Sequence, residues 1–232
     1  MPILTQKTSK NLLGHEGFSL IEILVALFLA ALVFLAFPSG DSAQKHRELK
    51  AAIDDLDRSS RFASNEAVLR NTVVRLRIQL DKTPQEFTVE YGPPGNIPLP
   101  EITEKKTNLS LSEEKAETEK QTALDRQFTK VEEFEEIKRE IHPDVTIYGI
   151  GTTIQKKLQK EGDISIYFYP TGEKDGAVLF LATIEEMAYL EISPFMTDTA
   201  STFEAFKTKT VAKLEDVVNT RMDEVFKEWI AR

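Results

Sequence analysis

"GFSLIEILVALFLAALVFLAF" (residues 17–37) is apolar from Phe18 to Phe37 except for Ser19 and one carboxylate, Glu22. As an α-helix this run measures about 30 Å, at about 1.5 Å per residue, which matches the hydrocarbon layer of a bilayer. The stretch predicts a single transmembrane helix over 18–38, with lipid around residues 18–37. Lys7 and Lys10 precede it, and the chain beyond Pro38 carries both signs of charge. The positive-inside rule then places the short N-terminus in the cytoplasm and the large C-terminal part outside it. A cleaved secretory signal fits poorly. Its apolar region is typically about 7–15 residues, and "FPSGDSAQ" offers only a poor small-x-small cleavage site.

Glu22 is the anomaly in this segment. A charged carboxylate at the centre of a bilayer costs about 2.5–3.5 kcal/mol on insertion scales, and Glu22 has no basic neighbour in its span. Two readings stay open on the residues alone. The side chain snorkels to the headgroups, which its shallow position permits. Alternatively, a cut between Gly17 and Phe18 creates a cationic amine at the head of the helix, one turn from Glu22, in the same chain or a packed neighbour.

Bulk composition narrows the function. With 232 residues and 41% hydrophobic content the chain buries one ordinary core, or two small ones. A net charge of -9 argues against general nucleic-acid binding, and no nucleic-acid partner is expected. Cysteine is absent, which excludes disulfides, a thiol nucleophile and cysteine-ligated zinc. The histidines, His15, His46 and His142, are far apart, and no hydrolase, P-loop or dinucleotide signature occurs. The chain is therefore read as a non-enzyme with no cofactor and no metal. Glu173 and Asp175 are too sparse for the 6–8 oxygen ligands of calcium and are read as turn chemistry.

Downstream, Pro38 and Gly40 interrupt the helix, and Asp41 or Ser42 caps its resumption. Leu49, Ile53, Leu56, Ser60, Ala63 and Ala67 then recur at spacings of four and three. This predicts an amphipathic stem helix over 39–71 that ends near Asn71 and packs on a sheet. "TVVRLRIQL" and "EFTVEYG" alternate as half-buried strands, with Arg75 and Arg77 on the solvated face. The segment 93–127 is polar and turn-rich and reads as a mobile insertion. "FTKVEEFEEIKREI" reads as a short helix through Phe128, Val131, Phe134, Ile137 and Ile141. "DVTIYGI", "DISIYFYP", "GAVLFLA" and "AYLEISPF" read as strands of an antiparallel meander, completing a β domain over 72–196. An extension over 197–232 carries Val211, Leu214, Val218, Met222, Val225 and Trp229 on one helical face, with Trp229 the candidate partner contact.

"GFSLIEILVALFLAAL" resembles the class III leader junction of type IV pilins and type II secretion pseudopilins. The resemblance implies a prepilin leader over 1–17, cut by prepilin peptidase between Gly17 and Phe18, with N-methylation of Phe18. It makes Glu22 the acid that recruits and registers subunits in a helical filament. Glu16 departs from the family, where basic residues are common before the junction. "RFASNEAVLRNTVVRLRI", "IYFYPTGEKDGAVLFLA" and "YLEISPF" resemble the GspH/FimT-type minor pseudopilins over Gly17 to about Phe195, apart from the insertion. The implied fold is α+β and pilin-like: a long N-terminal helix, transmembrane then amphipathic, packed on an antiparallel sheet, here with an extra C-terminal helix. The implied partners are other pseudopilins or pilins, the prepilin peptidase and an inner-membrane assembly platform. The implied location is the bacterial inner membrane, single-pass, with the C-terminal domain in the periplasm. A minor pilin of a type IV pilus is the first alternative. A signal-anchored periplasmic binding module that never polymerises is the second.

Overall fold

A computed structural model describes residues 19–36, 41–94, 119, 122–123, 125–131, 140–196, 198–206 and 211–232. The chain divides into two compact units, Met1–Gly40 and Asp41–Arg232. The first contains helix α1, Leu20–Ala36, of 17 residues. Its side chains from Leu20 to Leu32 are exposed. Among the described residues no helix is long and apolar enough to cross a membrane. Phe18 and Phe37, the outer residues of the apolar run, lie outside the described residues, as do Pro38 and Gly40.

The second unit opens with α2, Asp41–Arg70. Leu49, Ile53, Leu56, Ser60, Ala63 and Ala67 are all 1% exposed or less, so the stripe faces the core along its length. Its small second half lets backbone approach sheet closely, which larger side chains would prevent. The opposite face is laced with pairs at i,i+4, including Lys50 with Asp54 (2.8 Å) and Arg70 with Glu66 (2.7 Å). Asn71 then takes a left-handed backbone, φ 51°, which ends the helix and turns the chain into the first strand.

Among the described residues nine strands follow: β1 (Thr72–Gln79), β2 (Glu86–Pro94), β3 (Thr129–Lys130), β4 (Thr146–Thr152), β5 (Leu158–Gln159), β6 (Asp163–Phe168), β7 (Ala177–Ala182), β8 (Glu186–Ile192) and β9 (Ala200–Ala205). They form two antiparallel sheets rather than one. The first has the order β3-β2-β1-β6 and the second β5-β4-β7-β8-β9. The simple meander is thereby corrected, since β6 pairs with β1 and not with β7.

Side-chain periodicity gives the reason. Ile164, Ile166 and Phe168 stand opposite Ile78, Leu76 and Val74, so β6 extends the inward face of β1. β7 is buried at every position and needs cover on both faces. It finds this at the centre of the second sheet. Ala177, Leu179 and Leu181 enter the main core with α2, while Val178, Phe180 and Ala182 enter a smaller core on the other side.

That smaller core is closed by α3, Val211–Ile230. Leu214, Val218, Met222 and Val225 meet Val178, Phe180, Ala182 and Met187. Each of these side chains except Ala182 contributes about 1.5–3 kcal/mol when fully buried. The seat is carved by glycines of β4. A Cβ on Gly151 would stand 2.2 Å from the Phe226 ring, and one on Gly149 would stand 3.0 Å from Met222 Sδ.

The predicted helix over 128–141 is also corrected where it is described. Thr129–Lys130 form an edge strand on β2, and the Val131 N–H donates to the Val89 carbonyl (3.1 Å). The open edge of β2 offers hydrogen bonds to an extended segment that a helix there would leave unmade. Residues 132–139 lie outside the described residues.

Gln85 joins the two sheets. Its amide oxygen accepts the Ile147 N–H (2.6 Å), and its Nε2 donates to the carbonyls of Ile147 (3.1 Å) and Leu80 (3.2 Å). One side chain thus replaces a strand partner for β4. Beside it the Ile141 N–H donates to the Gln85 carbonyl (2.8 Å), and Glu86 bridges Glu140.

Candidate functional site

The head of α1 is the candidate site that the sequence singles out. Gly17 and Phe18 lie outside the described residues; Ser19 and Glu22 lie within them. The Glu22 N–H donates to the Ser19 carbonyl (3.0 Å) and to Ser19 Oγ (3.3 Å). Ser19 is therefore the N-cap, and Glu22 occupies the third helical position. "SLIE" is a capping-box pattern, a local signal that sequence reasoning about bilayer depth passed over. It gives Glu22 a second physical role, because an anion in the first turn complements the helix dipole. Glu22 is exposed. Capping therefore uses its backbone while the carboxylate stays accessible.

Arg75 and Arg77 depart from the expected solvated face. Arg75 is 1% exposed and is among the largest fully buried side chains. Its Nε donates to Glu90 Oε2 (2.7 Å) and its Nη1 to Asp125 Oδ1 (2.5 Å), with the Phe128 ring stacked 4.0 Å from the guanidinium carbon. Burial works against the cation, but Asp125 and Glu90 outweigh it and hold the guanidinium above its ordinary value. Arg77 is less enclosed and pairs with Asp163. The face was misread because its cover, Asp125 and Phe128, comes from the end of the polar 93–127 segment and just beyond it. The remaining guanidinium nitrogen, Nη2, lies 2.5 Å from Glu90 Oε2 but makes no hydrogen bond of its own.

Glu48, His142 and Asp144 place their ligand atoms within 4.8 Å of one another, the one such grouping among the described residues. His142 Nδ1 lies 3.3 Å from Glu48 Oε2 and also accepts the Asp144 N–H at 3.3 Å. Gln44 Nε2 donates to the other Glu48 oxygen (2.9 Å). The arrangement sets the loop before β4 beside α2, with Glu48 Oε2 buried and accepting no hydrogen bond. His46 does similar work elsewhere on the helix, 2.7 Å from Glu186.

Glu173 and Asp175 do not share a ligand site. Asp175 accepts the Tyr167 N–H (3.0 Å) and the Tyr169 hydroxyl (2.8 Å) on its two carboxylate oxygens. Trp229, the candidate partner contact, is partly buried against the smaller core. Its ring stacks on Phe226 with 6.0 Å between centroids. This orientation spends much of the indole on its own domain.

These observations define an α+β protein with two antiparallel sheets, preceded by an exposed apolar helix with an acid in its first turn. No family model, curated protein or solved structure matches the chain.

Proposed function

We propose that the protein is a minor pseudopilin of a type II secretion system, incorporated at or near the tip of a periplasmic pseudopilus that helps export folded proteins. The observation that carries this reading is the order of elements at the N-terminus: a glycine–phenylalanine junction, a capped apolar helix with one acid in its first turn, then a long helix seated on antiparallel sheet. A free subunit is anchored in the inner membrane by its apolar helix, with the folded unit in the periplasm. Cleavage after Gly17 gives Phe18 a cationic amine, which the peptidase then methylates. Glu22 of one subunit pairs with that amine on a neighbour, and contacts between apolar helices replace lipid contacts as the subunit leaves the bilayer.

Mass spectrometry of the mature protein from its native host tests the processing step. The expected N-terminus is methylated Phe18; a functional protein that begins at Met1 overturns the reading. Glu22→Ala is expected to be processed like the parent but to enter filaments poorly and to reduce secretion several-fold. Secretion at the parental level by that variant removes the assigned role of the acid. Glu22→Gln isolates the charge, since it keeps the size of the side chain and, like Glu22→Ala, the backbone cap.

A further inference from the structure

Strand β6 is an edge of the first sheet, and the chain leaves it at Phe168 to reach the centre of the second sheet at Ala177. Within that crossover Asp175 turns back on the edge. Its N–H donates to the Tyr167 carbonyl (2.8 Å), and its carboxylate accepts the Tyr167 N–H (3.0 Å). Both outward backbone groups of Tyr167 are thereby satisfied, as a neighbouring strand would satisfy them. One of the two bonds is made by a titratable side chain. That side chain belongs to a residue only 5% exposed, and its other oxygen accepts the Tyr169 hydroxyl.

The surrounding charges offer no compensation. Tyr167 and Tyr169 face the carboxyl as neutral donors. Glu173 lies beside Tyr169 and adds negative charge. The Lys174 ammonium feels the charges of Arg61 and Asp57 of α2 and of Asp198 in the β8–β9 loop, and burial and Arg61 hold it below its ordinary value. Arg75 and Asp125 act on the Tyr167 ring. Among the described residues no cation forms an ion pair with Asp175. A buried carboxylate with two neutral donors and no counter-ion is costly when ionised and well accommodated when neutral.

We propose that Asp175 is a proton-operated clasp on the edge of the first sheet. With its proton bound, the crossover lies closed on Tyr167. Once the proton leaves, the buried charge favours an opened crossover in which the carboxylate reaches water and the edge of β6 is uncapped. Burial is also the dominant cause that pushes the Asp175 acid up to about 6, against the two hydrogen bonds that lower it. The open form titrates near the ordinary value of 3.8. The closed form thus keeps its proton up to about pH 6 and the open form only below about pH 4. Closure is strengthened as pH falls through 6 and lost as pH rises through it. The limiting change in the closed-to-open ratio is about a hundredfold, of which about tenfold falls between pH 5 and pH 7.5.

Residue-resolved amide exchange of the full chain in detergent micelles, corrected for the intrinsic pH dependence of exchange, tests the clasp. Protection of the Tyr167 and Asp175 amides is expected to drop about tenfold from pH 5 to pH 7.5, while that of Leu76 in the sheet interior holds. Asp175→Asn, whose side chain accepts from Tyr167 and has no proton to lose, is expected to keep both amides protected at either pH. Unchanged protection in the parent, an equal loss at Leu76, or a persistent tenfold drop in the Asn variant each overturns the proposal. Should the Asn variant fail to fold, the carboxyl carbon of Asp175 in the parent decides. A midpoint near 6 supports the clasp, and one near 4 sinks it.

Discussion

Arg75→Met is expected to lower the unfolding free energy by about 3–5 kcal/mol, the usual consequence of removing one partner from a buried ion pair. Methionine fills much of the volume and keeps contact with the Phe128 ring, so the loss is electrostatic rather than a cavity effect. Glu90 is 5% exposed and is left beneath the sheet cover with only the longer ion pair to Arg77 Nη1 (3.8 Å). Asp125 keeps more access to water, with its side chain 28% exposed, and contributes less to the cost. Two further variants separate these contributions. Arg75→Met with Glu90→Leu is expected to recover most of the loss, because an apolar pair of similar volume often matches or exceeds a buried salt bridge. Arg75→Met with Asp125→Ala is expected to recover little. Urea denaturation of the detergent-solubilised protein, followed by circular dichroism, measures all three. Equal recovery by both double variants would show that the site responds to total charge rather than to the buried Glu90 contact.

Gly151→Val is the second large effect. Its Cβ would stand 2.2 Å from one edge carbon of Phe226 and 2.5 Å from the next, so either the ring or the whole helix must move. The ring is not free to turn aside, because Trp229 stacks against it. Overpacking of this kind costs about 1–3 kcal/mol. Because the strain falls on one helix, it is expected to appear as undocking of α3 rather than as global unfolding. Trp229, the single tryptophan of the chain, reports this directly. Its emission should shift to the red, and a hydrophobic dye should bind the uncovered Val178, Phe180 and Met187. Phe226→Ala in the same chain creates space where the valine needs it. The double variant should dock better than Gly151→Val alone, a positive coupling that a purely local β4 defect would not produce.

The stem helix was readable because its apolar spacing has a single periodic solution, and Asn71 punctuates it. β1, β2, β4, β6, β7 and β8 were readable for the same reason, with alternation or short β-branched runs marking each one; the edge strands β3, β5 and β9 were not, and Ala200–Ala205 corrects the reading of 197–232 as helical throughout. Partition into two sheets was not, since period and turn length leave open which inward face β6 continues. Deciding that requires knowing that β7 is covered twice, which depends on where α3 packs. Alternating Gly149 and Gly151 in "YGIGT" carried that information, as glycines in a strand mark a close approach. Arg75 was misread for a related reason, since its cover comes from beyond a long polar segment with no apolar period to mark it. At the candidate site the acid stood out against its apolar surroundings. Its capping partner Ser19 did not, because bilayer depth and helix capping are different physical questions asked of the same four residues.

Gln85 has a consequence for the long excursion between β2 and β4. The amide clip on Ile147, the Ile141 bond and the Glu86–Glu140 bridge close the base of that excursion locally. The first residues of β4 are accordingly held in register by one amide side chain, whatever chain runs between the two strands. A glutamate at position 85 would undo half of that clip, because a carboxylate accepts from Ile147 but has nothing to donate to the carbonyls of Ile147 and Leu80.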